Sequence, residues 1–141
     1  MKIAAKKLGM TQIWKNGAVV PVTILGVTDG QEEILGQVVE GSPASVVSKS
    51  KGKGFQGVVK RHGFHGGPQS HGQKDRLRAP GSIGSTAPQR VLKGRKMAGR
   101  MGGRRTTVKN LSVTQVDTEN KKIFIRGAVP GMRGTPVEIN I

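Results

Sequence analysis

The sequence of 141 residues contains no cysteine, only four aromatic side chains and only eight acids. The absence of cysteine excludes a disulfide scaffold, a thiolate zinc site and a cysteine nucleophile. No apolar run approaches the roughly 20 residues that a membrane span needs. The first seven residues lack the apolar segment of a signal peptide, so we expect a cytoplasmic protein.

Positive charge is what the chain has in excess. Lysine and arginine number 24, which gives a formal net charge of +16. A charge this large in a chain long enough for only one domain is typical of proteins that bind a polyanion. Nucleic acid is the first candidate for that polyanion, and an anionic membrane surface is the second.

The charge is concentrated in the middle of the chain. Residues 49–105 carry fifteen of the bases and a single acid, Asp75, together with 13 of the 22 glycines and all three histidines. Only 8 of these 57 residues are Leu, Ile, Val or Phe, too few to offset the entropy of ordering the segment. We therefore predict that residues 1–48 and 106–141 together form one domain. Residues 49–105 are predicted to form a basic, largely irregular extension.

Both flanking segments have the composition of β-strands. Apolar, mostly β-branched residues run from Val20 to Val27, and a turn at 28–30 precedes a second predicted strand over 34–39. The second flank repeats this order, with strands over 108–116 and 123–125 around a polar turn at 117–120. Two similar hairpins predict a mainly β fold, specifically a small closed β-barrel with approximate two-fold symmetry.

The three glycines at 52, 54 and 57 satisfy the Gly-x-Gly-x-x-Gly pattern of dinucleotide-binding loops. That pattern requires a preceding strand, a following helix and an acid about 20 residues further on. Further glycines at 63, 66 and 67 leave no room for a long helix. The sequence favours a loop whose glycines let the backbone approach phosphates while lysines supply charge. A nucleotide-binding enzyme is the alternative.

Catalytic and metal chemistry have little support in the same segment. His62, His65 and His71 lack cysteine or acidic neighbours other than Asp75, which favours contacts with bases or phosphates over metal ligation. No serine of the segment can be tied to a His–Asp pair, and one acid cannot form a carboxylate pair. We expect no catalytic residue, no metal, no cofactor and no small-molecule substrate.

Residues 90–105 hold seven bases in sixteen positions, interleaved with glycine rather than with acids or helix formers. This pattern favours phosphate contact over a solvated charged face. Because aromatic residues are few, base stacking is predicted to be minor, and recognition should depend on backbone and shape. The predicted RNA-binding residues of the whole chain are Lys6, Lys7, Lys51, Lys53, Lys60, Arg61, His62, His65, His71, Arg76, Arg78, Arg90, Lys93, Arg95, Lys96, Arg100, Arg104 and Arg105.

Several segments resemble the universal family of large-subunit ribosomal protein L3, and they occur in the family's order. They are Lys6–Trp14, Ser50–Phe64, His71–Gly72, Arg78–Gly84, Lys93–Gly102 and Gly127–Gly131. Bacterial members are usually longer, and the difference falls between Val27 and Gln31, where 28–30 is predicted to close a tight hairpin.

The resemblance implies a structural protein and not an enzyme. Its barrel would be like those of some translation factors, and residues 49–105 would reach through ribosomal RNA toward the peptidyl-transferase region. The implied partners are large-subunit ribosomal RNA and neighbouring ribosomal proteins, with no membrane. The implied location is the large ribosomal subunit in the cytoplasm, with a role early in its assembly. A trimmed barrel or a general nucleic-acid chaperone without a ribosomal role remains the alternative.

Overall fold

A computed structural model describes residues 1–28, 30 and 32–141. Strands dominate the described residues, and the two α-helices have four and five residues. The mainly β class predicted from the sequence is therefore confirmed. In chain order the elements are β1 (Lys2–Lys15), β2 (Ala18–Val27), α1 (Glu32–Leu35), β3 (Pro43–Lys49), β4 (Phe55–Gln56), α2 (Val58–His62), β5 (Gly99–Arg100), β6 (Arg105–Asp117), β7 (Lys122–Arg126) and β8 (Pro136–Asn140).

The chain divides into two compact units. The first, here called the sheet unit, comprises residues 1–51 and 103–141; the second, here called the basic unit, comprises residues 52–102. The sheet unit holds six antiparallel strands in the order β1-β2-β7-β6-β3-β8, and β8 pairs with β1 as well as with β3. The basic unit holds a separate two-stranded ribbon of β4 and β5.

The longest hairpin of the sheet unit joins β1 to β2 through a two-residue loop. Lys15 pairs with Ala18, and the intervening Asn16 and Gly17 both have positive φ, 52° and 75°. Two central residues with positive φ match the right-handed twist of the flanking strands, and Asn-Gly is the dipeptide that adopts this turn most readily. The loop therefore fixes the register of β1 against β2.

The core of the sheet unit is built from alternate residues of its strands. In β1 the buried positions are Ile3, Ala5 and Lys7, while Lys2, Ala4 and Lys6 are exposed. This period of two places one face of each strand inside. The apolar core consists of Ile3, Ala5, Leu25, Val27, Leu35, Val38, Ala44, Val46, Val113, Ile123, Ile125, Val129, Val137 and Ile139.

Three of the four predicted strands are confirmed, within β2, β6 and β7. The strand predicted over 34–39 is wrong, because α1 ends at Leu35 and turn hydrogen bonds follow it, from Gln37 N–H to Ile34 O and from Val38 N–H to Leu35 O. Leu35 and Val38, three residues apart, both reach the core from this turn. The predicted repeat of two similar hairpins is lost with that strand. The predicted turn at 28–30 includes Asp29, which lies outside the described residues.

Candidate nucleic-acid interface

The basic unit carries eleven lysines and arginines against one acid, Asp75. Arg61 is half-buried, and the other ten are exposed. Within the described part of the chain, none of these ten forms a salt bridge with an acid. No ion pair in the described structure therefore neutralises their charge, and their side chains are accessible to an anion. They are Lys53, Lys60, Lys74, Arg76, Arg78, Arg90, Lys93, Arg95, Lys96 and Arg100.

The β4–β5 ribbon orders one end of this unit. Phe55 pairs with Arg100, and Gln56 pairs with Gly99. Beside the ribbon, Lys53 N–H donates to Met101 O, and Met101 N–H donates to Gly54 O, each over 2.9 Å. Lys53 and Arg100, both predicted to bind RNA, are thus held on a hydrogen-bonded frame with their side chains exposed.

Helix α2 follows the glycine motif immediately and lasts only five residues. It ends at Gly63, whose φ is 72°. Arg61 Nη1 donates to Met97 O over 2.6 Å, and His62 Nε2 lies 3.0 Å from the same oxygen. Both side chains are among the predicted RNA contacts, and in the structure both contact the backbone carbonyl of Met97. Lys60 on the same helix is exposed.

The segment around Gly67 and the segment around Arg76 approach each other closely in the basic unit, and this place is here called the crossing. Gly67 N–H lies 3.2 Å from Arg76 O and 3.1 Å from Leu77 O. An open pocket of about 530 Å³ lies at this crossing, and Phe64, His65, Gln73 and Arg76 are among its lining residues. His71 and Arg78, which are close in sequence to Gln73 and Arg76, are exposed. Lys74, also exposed, was missed among the predicted contacts.

Residues 82–96 contain few regular elements and are almost wholly exposed. The Arg95 guanidinium donates to Ser82 O, which connects the two ends of this stretch. Arg90, Lys93 and Lys96 project into solvent from the same stretch. The predicted phosphate contacts of this region are therefore accessible.

Five further predicted contacts belong to the sheet unit. Lys6, Lys51, Arg104 and Arg105 are exposed, and Arg105 lies 3.5 Å from Glu138 in a solvent-exposed ion pair. Lys7 is also among the predicted contacts, but the residue is only 8% exposed and its ammonium donates to two backbone carbonyls. Burial, with a smaller effect from the charge of Lys51, lowers the pKa of Lys7 below its usual value.

No group of three or more His, Cys, Asp or Glu side chains in the part of the chain that the structure describes is arranged to hold a metal ion. No helix there combines the length and apolar character needed to cross a membrane. Exposed cations without acidic partners on a glycine-rich frame are typical of basic proteins that bind a polyanion.

Comparison with known proteins identifies the family. The profile of the family described as Ribosomal protein L3 matches residues 24–137. Large ribosomal subunit protein uL3 of Salinispora arenicola is 40% identical over 197 aligned positions, which cover 96% of this chain and 90% of that protein. The uL3 proteins of Herpetosiphon aurantiacus and Chlorobium limicola are 56% and 54% identical over 101 residues, 71% of this chain and 48% of each relative. The chain belongs to the ribosomal protein L3 family.

The alignment with the Salinispora arenicola protein has more positions than this chain has residues. That relative therefore carries residues that this chain lacks. Against the other two relatives the chain aligns with about half of their length.

Proposed function

We propose that this chain is a structural, non-catalytic protein of the large ribosomal subunit that binds ribosomal RNA, mainly through its basic unit. The observation that carries the proposal is the set of ten exposed cations in residues 52–102 without acidic partners in the described structure. Family membership supplies the ribosomal setting, since the matched relatives are named as large-subunit proteins. Such a protein works in the cytoplasm, within the large subunit.

The finer assignment concerns the role of each unit. We infer that the sheet unit is a small closed barrel of the kind found in some translation factors, because β8 pairs with both β1 and β3 and so returns the strand order to its start. The basic unit is the RNA-penetrating extension that reaches toward the peptidyl-transferase region. Its partners besides RNA are neighbouring ribosomal proteins.

The contacts proposed with phosphates are the exposed members of the predicted set. Lys7 is withdrawn because it is buried, and Arg61 and His62 are reassigned to positioning residue 97. Lys74 joins the set because it is exposed in the same unit. The proposed contacts are Lys6, Lys51, Lys53, Lys60, His65, His71, Lys74, Arg76, Arg78, Arg90, Lys93, Arg95, Lys96, Arg100, Arg104 and Arg105.

The test is equilibrium binding of the full chain to large-subunit ribosomal RNA over a range of salt concentrations. Each neutralised phosphate releases counterions, so the logarithm of the binding constant should fall with the logarithm of salt with a slope of several units. Lys60→Gln should reduce that slope by about one unit. Lys109→Gln, which removes an exposed lysine from the sheet unit, is the matched control and should leave the slope unchanged.

Two results would contradict the proposal. A nearly flat salt dependence would show that phosphates are not the main contact. Tighter binding of ATP or NAD than of structured RNA at the same salt concentration would favour the nucleotide-binding alternative for Gly52–Gly57.

A further inference from the structure

Phe55 is the exposed aromatic residue of the basic unit. Its side chain is 76% exposed although it belongs to a strand, β4. Phe64, the other aromatic residue of the unit, is only half exposed and its ring lies against His62, with ring centroids 6.1 Å apart. Exposure alone does not imply a partner, because single exposed apolar residues are common on protein surfaces. The case for Phe55 rests on the charged residues that lie next to it.

The ribbon holds Phe55 in a defined position. Phe55 and Arg100 are direct partners across the antiparallel pair, so their side chains lie on the same face of the ribbon with Cβ atoms about 5 Å apart. On one side of this pair, backbone hydrogen bonds join Lys53 N–H to Met101 O and Met101 N–H to Gly54 O. The Gln56 amide adds a hydrogen bond to Lys53 O. Phe55 and Arg100 are therefore neighbours on one face of a hydrogen-bonded ribbon.

This combination matches the two parts of an unpaired nucleotide. A nucleobase is flat and apolar on its faces, and aromatic side chains bind it by stacking. The attached phosphates are anionic, and two exposed cations are available to them, Arg100 on the ribbon and Lys53 beside it. A wholly apolar partner surface would instead have to desolvate both of these charges.

We propose that Phe55 is a base-stacking residue: an unpaired base of the bound RNA lies on its ring, and Arg100 and Lys53 contact the adjoining phosphates. The inference rests on the proposed RNA-binding function and adds a base contact to a surface otherwise expected to read backbone and shape. At this one position it differs from the expectation that stacking is minor.

The first test measures RNA affinity of full-length variants at fixed salt. Phe55→Leu keeps an apolar side chain but removes the aromatic face, and it should weaken binding about tenfold. Its salt slope should stay that of the wild type, because no charge is lost. Phe55→Tyr should restore most of the affinity. Leu92→Ala, which trims an exposed apolar side chain of the same unit, is the matched control and should change affinity less than twofold.

The second test observes stacking directly. Trp14 is the one tryptophan of the chain and is exposed, so a Trp14→Phe background makes a new tryptophan at position 55 the sole indole reporter. In Trp14→Phe/Phe55→Trp, saturating RNA should quench the fluorescence strongly. The control, Trp14→Phe/Leu92→Trp, should be quenched much less.

The outcomes distinguish a failure of base stacking from a failure of the proposed RNA-binding function. If the wild type binds RNA with a steep salt slope but Phe55→Leu binds equally well, base stacking is refuted and the proposed function stands. If position 92 is quenched as strongly as position 55, Phe55 has no special contact and the inference also fails. If the wild type itself shows no salt-dependent RNA binding, both proposals fall together.

Discussion

The ammonium group of Lys7 donates a hydrogen bond to Val129 O over 2.6 Å, and the two residues are 122 positions apart in the chain. The same ammonium donates to Gly131 O over 3.1 Å. The backbone of Lys7 makes two further hydrogen bonds to this region. Lys7 N–H donates to Thr135 O, and Gly134 N–H donates to Lys7 O. One residue of β1 thereby fastens the segment before β8. Lys7, Val129 and Gly131 all lie in segments that resemble the L3 family.

Replacing this lysine should destabilise the sheet unit. Lys7→Met keeps the length of the side chain but leaves two carbonyls without their donor, and an unsatisfied buried polar group costs about 1–3 kcal/mol. The free energy of unfolding, from denaturant titration with an unchanged m-value, measures the effect. The control is Lys6→Met on the exposed face of β1, which should stay within about 0.5 kcal/mol of the wild type. Equal stability of the two variants would refute the fastening role.

The same residue predicts a pH dependence of stability. Burial lowers the pKa of Lys7 below its usual value of 10.5, with a smaller effect from Lys51. Between the folded pKa and 10.5 the unfolded chain binds more protons than the folded chain, so this contribution to stability rises with pH. Below both values it is constant. The difference in unfolding free energy between wild type and Lys7→Met should therefore grow as the pH approaches 10.5, and a decrease would contradict the prediction.

The crossing inside the basic unit offers a paired test of two glycines. Gly66 and Gly72 both have positive φ, 76° and 82°. A Cβ added at Gly66 would lie 2.0 Å from Leu77 O, whereas one added at Gly72 meets no atom within 4 Å. Both Ala variants have the same backbone strain, about 1–2 kcal/mol, but only Gly66→Ala also forces the two segments apart.

Limited proteolysis of the basic unit in the full chain measures the difference. Gly66→Ala should be cleaved between residues 63 and 81 much faster than Gly72→Ala, because the Gly67 hydrogen bonds to Arg76 and Leu77 depend on the close approach. RNA affinity should fall in the same order, since His65 and Arg76 lie at the crossing. Identical cleavage of the two variants would show that the crossing is not formed in solution.

Much of the sheet was predictable from local sequence. The β-branched runs in β2, β6 and β7 indicated strands, whereas the hairpin at Asn16–Gly17 was not predicted although this dipeptide is a strong hairpin signal. The burial of Lys7 was also predictable from the sequence, because a period of two from Ile3 and Ala5 places it on the inner face. The charge of Lys7 suggested an RNA contact, whereas strand periodicity predicts a buried position for it.

Other features depend on contacts that the sequence does not display. The residues after Leu35 look like a strand but form a turn, since Leu35 and Val38 are buried together in a core made by distant strands. Likewise, nothing local distinguishes Arg61 from Lys60. The difference arises because Met97 O lies near Arg61, 36 residues away along the chain. The charge of the basic unit was predictable, but the division between positioning and exposed cations was not.

The sheet unit should fold without the basic unit. All residues of its apolar core precede position 47 or follow position 112, so none lies in the basic unit. Within the sheet unit, Ser50 N–H donates to Arg104 O over 2.9 Å, and Gly103 N–H donates to Ser50 O over 3.1 Å. The two chain ends that a deletion of residues 52–102 would leave are thus already adjacent.

Replacing residues 52–102 by a short glycine-rich linker should therefore leave a β-rich protein that unfolds cooperatively, because closing a shorter loop between adjacent ends carries no added entropic cost. The complementary peptide 52–102 should not unfold cooperatively, since Val58 is the apolar side chain that it buries. In the full chain without RNA, amides of residues 52–102 should exchange with solvent faster than those of the core strands, and RNA should slow them. Circular dichroism melting of the deletion variant is the deciding measurement. A broad, non-cooperative transition would show that the sheet unit needs the basic unit in order to fold.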